Sequence, residues 1–114
     1  MYFSLYSDGG GEEAVKIKAG GAKYPANSEN VLEKEVEDGN IRSETEVYMD
    51  GMDVFNFALS VVPKSIKEIC KVGNVEINEV DNIVLHQANK FMTDFIIKRI
   101  KYPLERVPYC LQKY

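Results

Sequence analysis

The sequence predicts an α/β protein, and three observations carry that prediction. A short apolar run, 82–85, passes straight into an amphipathic run, 90–101. Around it the second half alternates helical and strand patterns, as α/β chains do. The composition, 45% hydrophobic and 28% charged over 114 residues, is that of a globular chain with enough length for one core.

In chain order, residues 1–6 form an aromatic-rich strand candidate, and Ser7-Asp8-Gly9-Gly10-Gly11 is turn chemistry. Residues 14–18 alternate apolar and charged side chains, the pattern of a strand with one wet face. The two read as strands joined by a glycine-rich turn. The triple glycine is no phosphate cradle, because neither a Lys-Ser/Thr ending nor a helical run follows it. Residues 19–48 are the least regular part, with a short helical turn possible at 31–36. Their length implies a functional excursion, a surface connection or disorder.

Asp50-Gly51 opens the longest helical pattern, 52–72. Phe55, Ala58, Leu59, Val62, Ile66, Ile69 and Cys70 recur at three- and four-residue steps and predict a core-facing stripe. Phe57 and Val61 fall off it, which suggests burial on a second side. Pro63 should kink or divide the helix, and Gly73-Asn74 should stop it. A connection at 78–81 leads to the 82–85 strand. The 90–101 helix takes Asn89 as N-cap and turns Met92, Phe95, Ile96 and Ile100 inward. Pro103 ends it. Residues 107–111 read as a last strand in which Pro108 removes one ladder bond. The alternation then stops at Tyr114 without a closing element, as in an interrupted chain.

Charge and cysteine usage narrow the function classes. The formal net charge is −4. Eight acids against Lys34 and Arg42 fall between Ser28 and Asp50, while Lys90, Lys98, Arg99, Lys101 and Arg106 cluster late. An acidic chain without a basic, aromatic-laced stripe is a poor nucleic-acid binder. No apolar run approaches the roughly 20 residues of a membrane span, and the start is unlike a signal peptide. Cys70 and Cys110 have neither disulfide-scaffold nor metal-site spacing, so they read as small buried hydrophobes in a reducing, cytoplasmic setting.

The chain is organised around Leu85-His86-Gln87-Ala88-Asn89. A strand entering a helix places His86 at the strand's carboxyl end, where open α/β sheets carry ligands and catalytic groups. His86 is the only histidine. On the residues alone it is either a core histidine bonded to backbone or the centre of a site.

Met49-Asp50-Gly51-Met52-Asp53-Val54-Phe55-Asn56-Phe57-Ala58, followed by Leu85-His86-Gln87-Ala88-Asn89, resembles the β-ketoacyl–acyl-carrier-protein synthase III family of thiolase-like condensing enzymes. The likeness is close from residue 49 onward, looser over 1–18 and faint between. It implies a partial thiolase-like fold. Residues 1–48 would then end a first half and residues 49–114 open a second, within a subunit that is usually a homodimer. It also implies a decarboxylating Claisen condensation between an acyl thioester and malonyl–carrier protein. No cofactor beyond acyl-CoA and carrier-protein thioesters is implied, and acyl carrier protein is the expected partner.

The family's catalytic set is cysteine, histidine and asparagine. His86 matches the histidine, whereas the cysteine belongs upstream and the asparagine to a Gly-Asn-Thr segment beyond Tyr114. A thiolate takes the acyl group, and the histidine and asparagine donate to the thioester oxygen as it becomes an enolate. His86 should then present an N–H, with an acceptor at its other nitrogen. Gln87, Ala88, Asn89 and Lys90 match the stretch that meets the pantetheine arm and carrier protein, and Gly51 and Phe55 match tunnel-lining positions. Two departures stand out. Phe91 replaces a frequent arginine and Asn56 a frequent basic residue, so the carrier protein is gripped differently or the partner differs. The alternatives to the condensing enzyme are a non-catalytic folded module and an acyltransferase with another acceptor on the same scaffold.

Overall fold

The computed structural model describes residues 1–36 and 39–110. In chain order its elements are β1 (Val15–Ile17), β2 (Lys34–Glu35), β3 (Ile41–Arg42), β4 (Val47–Met49), α1 (Gly51–Gly73) and α2 (Lys90–Ile100). Single 3₁₀ turns lie at Ile77–Glu79 and Leu104–Arg106. The chain gathers into two units: Asp8–Val54, and Met1–Ser7 together with Phe55 onward. Among the described residues no helix is long and apolar enough to cross a membrane.

In the Asp8–Val54 unit, β1 pairs antiparallel with β4, setting Val15 opposite Met49, Lys16 opposite Tyr48 and Ile17 opposite Val47. The expected pairing of 1–6 with 14–18 does not form. The glycine turn closes on itself instead, through Gly10 N–H to the Asp8 carboxylate (2.9 Å) and Ala14 N–H to the Gly11 carbonyl (3.0 Å). The alternation of β1 holds, but its apolar side chains face out while Lys16 is half-buried. Instead of a helical turn at 31–36 there is a turn at 28–31 and then the β2–β3 hairpin, Lys34 opposite Arg42. Gly39 takes φ +78° there, a left-handed conformation that glycine reaches without a Cβ penalty.

The irregular stretch before the hairpin is ordered by side chains. Asn27 Oδ1 accepts from Glu29 and Asn30 N–H (2.8 and 3.0 Å), and Asn30 Oδ1 accepts from Asn27 N–H (2.8 Å). Buried Asn30 also donates to the Pro25 carbonyl (3.0 Å). Asparagine competes well with backbone for such local bonds, so order arises without regular structure.

Helix α1 opens where Asp50 Oδ1 accepts the N–H groups of Met52 and Asp53, both at 2.9 Å. It runs unbroken through Pro63 to Gly73, and Asn74 stops it at φ 52°. Its stripe is half-buried, and Phe57 is exposed rather than buried on a second side. Helix α2 starts at Asn89, whose side chain accepts Met92 N–H at 2.7 Å, and ends at Lys101 in the left-handed region. Its buried face is Thr93, Ile96, Ile97 and Ile100, so Phe95 lies outside. Ile97, Ile100 and Tyr102 form the core of this unit, with Ile66, Leu85 and Val107 packed on it. The Tyr102 hydroxyl donates to the Val80 carbonyl at 2.8 Å.

The two strands expected at 82–85 and 107–111 form no ladder over the described residues, which exclude Leu111. The nearest backbone bond runs from Ile83 N–H to the carbonyl of Arg106, just before the second stretch, at 3.2 Å. A ladder needs a bond at every alternate residue, and Pro108 has no N–H to give.

Candidate functional site

The motif 85–90 is laid out by its two ends. Leu85 packs on the Ile97–Ile100–Tyr102 core. At the other end the Asn89 carboxamide caps α2, and Thr93 Oγ1 donates back to the Asn89 carbonyl at 3.2 Å. Between them His86 and Ala88 are exposed and Gln87 is half-buried, the alternation of an extended segment. His86 is therefore no core histidine. Its ring makes no hydrogen bond among the described residues, so the acceptor expected at its second nitrogen is not among them either.

Gln87 is the most engaged side chain of the motif. Its Nε2 donates to the Pro108 carbonyl at 3.2 Å, and its Oε1 accepts Cys110 N–H at 2.9 Å. Lys90 pairs with Asp94 at 2.7 Å and lies 5.8 Å from the Tyr109 ring centre. Phe55 stacks on Phe91 at 5.8 Å between centroids and meets Phe95 edge-on at 6.2 Å. Phe91 and Phe95 are 5.0 Å apart, and Phe91 is 64% exposed. The three rings make an aromatic surface. Gly51 is the exposed first residue of α1, with open space where a Cβ would stand.

Cys70 is half-buried on α1, and Cys110 is exposed, against the expectation of burial. No group of acidic, cysteine or histidine residues suited to a metal occurs among the described residues. An open cleft of about 800 Å³ lies in the Asp8–Val54 unit, lined by Glu13, Lys18, Arg42, Tyr48 and others.

Known proteins place the chain. No family model matches it. The β-ketoacyl-[acyl-carrier-protein] synthase III of Fusobacterium nucleatum is 32% identical over 112 residues, 98% of this chain and 31% of the relative. Over nearly its whole length the chain is similar to part of the β-ketoacyl-[acyl-carrier-protein] synthase III sequence. The synthase III of Rhodopirellula baltica agrees, at 32% identity over 114 residues, all of this chain and 30% of the relative.

Among solved structures, a 3-oxoacyl-(acyl-carrier-protein) synthase III superposes with TM-score 0.84 at 33% identity. It covers 90% of this chain and 31% of that one. A 3-oxoacyl-(acyl-carrier protein) synthase from Burkholderia xenovorans superposes at TM-score 0.74 and 29% identity, over 93% and 29% of the two chains. The fold is thus part of the thiolase-like synthase III fold. The chain spans about 31% of the length of the curated relatives it matches.

Proposed function

We propose that these residues serve a condensing enzyme that joins an acyl thioester to malonyl–carrier protein with loss of CO₂, in fatty-acid or related acyl-chain synthesis. The observation that carries the reading is His86, exposed and unbonded among the described residues, between a strand-like segment anchored on the core and a capped helix. An imidazole held by its flanks and open on its ring is suited to donating to a thioester oxygen as negative charge builds there. No cofactor enters this chemistry, since substrates arrive as acyl-CoA and carrier-protein thioesters. Gly51, Phe55, Ala88, Asn89 and Lys90 are proposed to border the thioester arm and the carrier protein. The intact enzyme would be a cytoplasmic homodimer.

The nucleophile is neither cysteine of this chain. Cys70 is half-buried along an α1 stripe, and neither it nor Cys110 matches the family's catalytic cysteine. The 114 residues alone should therefore take no label from radioactive acetyl-CoA; stoichiometric, thiol-labile labelling would overturn this. In a protein expressed with the coding sequence that flanks these residues, His86→Ala should slow malonyl decarboxylation about a hundredfold to a thousandfold, the usual loss for one such donor. Cysteine acylation should persist. Decarboxylation at the wild-type rate would remove His86 from the mechanism.

A second reading, acyl transfer to another acceptor on this scaffold, draws on the Phe55–Phe91–Phe95 surface. A partner gripped there is held by apolar area more than by charge, so its binding would weaken little with salt.

A further inference from the structure

We infer that Gln87 is the positioning residue of the His86 site, its carboxamide supplying the second of two rungs that fix the segment carrying His86. The functional half of this inference rests on the role proposed for His86. The structural half does not.

Segments 83–87 and 106–110 run in the same direction, since Ile83 bonds Arg106 while Gln87 reaches Pro108 and Cys110 further along. In a parallel ladder, one residue donates its N–H to the carbonyl of residue i across the gap. Its carbonyl accepts the N–H of residue i+2. Ile83 makes the first of these bonds, to Arg106 at 3.2 Å. The second would come from residue 108, which is proline and has no N–H.

The next rung would join the carbonyl of residue 108 and the N–H of residue 110 to the N–H and carbonyl of residue 85. Gln87 fills it with its side chain, donating to Pro108 at 3.2 Å and accepting from Cys110 at 2.9 Å. A carboxamide carries the same donor and acceptor as a peptide group, which a hydroxyl-free carboxylate does not. Residues 83 and 87 are thereby pinned on either side of His86. Because side chains alternate along an extended segment, pinning Gln87 toward 108–110 turns His86 the other way. Asn89 then fixes the following turn. Among the described residues the imidazole is oriented without a bond to either of its nitrogens. A donor aimed at a developing oxyanion works only when it is held in place beforehand.

The test is hydrogen exchange on the 114-residue chain, read by mass spectrometry so that association does not prevent it. Gln87→Met removes both bonds at nearly constant shape. The Cys110 amide should exchange roughly tenfold faster, as on losing one hydrogen bond. The slow exchange of the His86 Cε1–H should also change, while Ile97 and Ile100 amides keep their protection. Gln87→Glu retains an acceptor for Cys110 but no donor for Pro108, and should fall between. Adding Pro108→Ala to Gln87→Met supplies an N–H for the Ile83 carbonyl and should return His86 exchange toward wild type, which a purely steric role would not do.

Unchanged Cys110 or His86 exchange in Gln87→Met would overturn the inference. So would loss of Ile97 and Ile100 protection in both Gln87 variants, which would make Gln87 a residue of general stability. No substrate is involved, so these outcomes are separate from the fate of the condensing-enzyme reading.

Discussion

Replacing Ile97 by alanine is expected to remove most of the stability of the unit that carries His86. Ile97 is 0% exposed and is the one large side chain wholly enclosed among the described residues. The change removes three buried carbons, a transfer loss of about 2.4 kcal/mol at about 0.8 per methylene. The cavity left behind adds to this, which gives a total of about 3–4 kcal/mol. Domains of this size hold only about 5–15 kcal/mol in all, and here the core beside Ile97 consists of Ile100 and Tyr102. Most of the margin would go.

The chain has no tryptophan, but Tyr102 is buried in that core with its hydroxyl on Val80, so near-ultraviolet dichroism of tyrosine reports on it. In urea, at concentrations low enough to limit association, the midpoint should fall by about 1.5–2 M for a slope near 2 kcal/mol/M. Phe91→Ala, at an exposed position, is the matched control and should move the midpoint by less than about 0.5 M. Equal shifts for the two variants would refute the assignment of the core to Ile97.

Asn89→Ala should cost about 1 kcal/mol by leaving Met92 N–H uncapped, visible as lost helicity and faster exchange in the first turn of α2; Asn89→Asp should restore most of it. Val15, Ile17, Val47 and Met49 all lie exposed on one face of the β1–β4 pair, so the purified chain should scatter light as it is concentrated, and Ile17→Thr with Val47→Thr should reduce that. A monodisperse monomer at all concentrations would contradict it. The hydrogen bond and charge of Lys16 hold the surface carboxyl of Glu13 below its ordinary range. Its lowered folded value means that this pair stabilises above the unfolded carboxylate range and is lost as pH falls through the folded value. Lys16→Met should move the Glu13 titration midpoint up in an NMR titration.

What was legible in the sequence was local. The cap at Asn89 and the start of α1 at Asp50 follow from side chains bonding backbone within three residues, and the stop at Gly73-Asn74 from a left-handed Asn74 with local backbone bonds, so short patterns reveal them. The motif at 85–89 and the likeness to synthase III were legible for the same reason, as residues in fixed order. Pairing across distance was not. That β1 takes β4 rather than residues 1–6 depends on which backbone edges meet after the asparagine clasp at 27–30 has folded the intervening chain, and alternation is silent about the partner.

The same holds for α2. Both Phe95 and Ile97 fit a helical stripe, and only packing against Leu85 and Val107 decided that Ile97 is enclosed while Phe95 joins Phe55 and Phe91 outside. Pro108 announced a missing bond in the sequence. That Gln87, 21 residues earlier, supplies the next rung with its side chain was decided by tertiary structure alone, because a carboxamide can stand in for a peptide group only where the fold brings the two together.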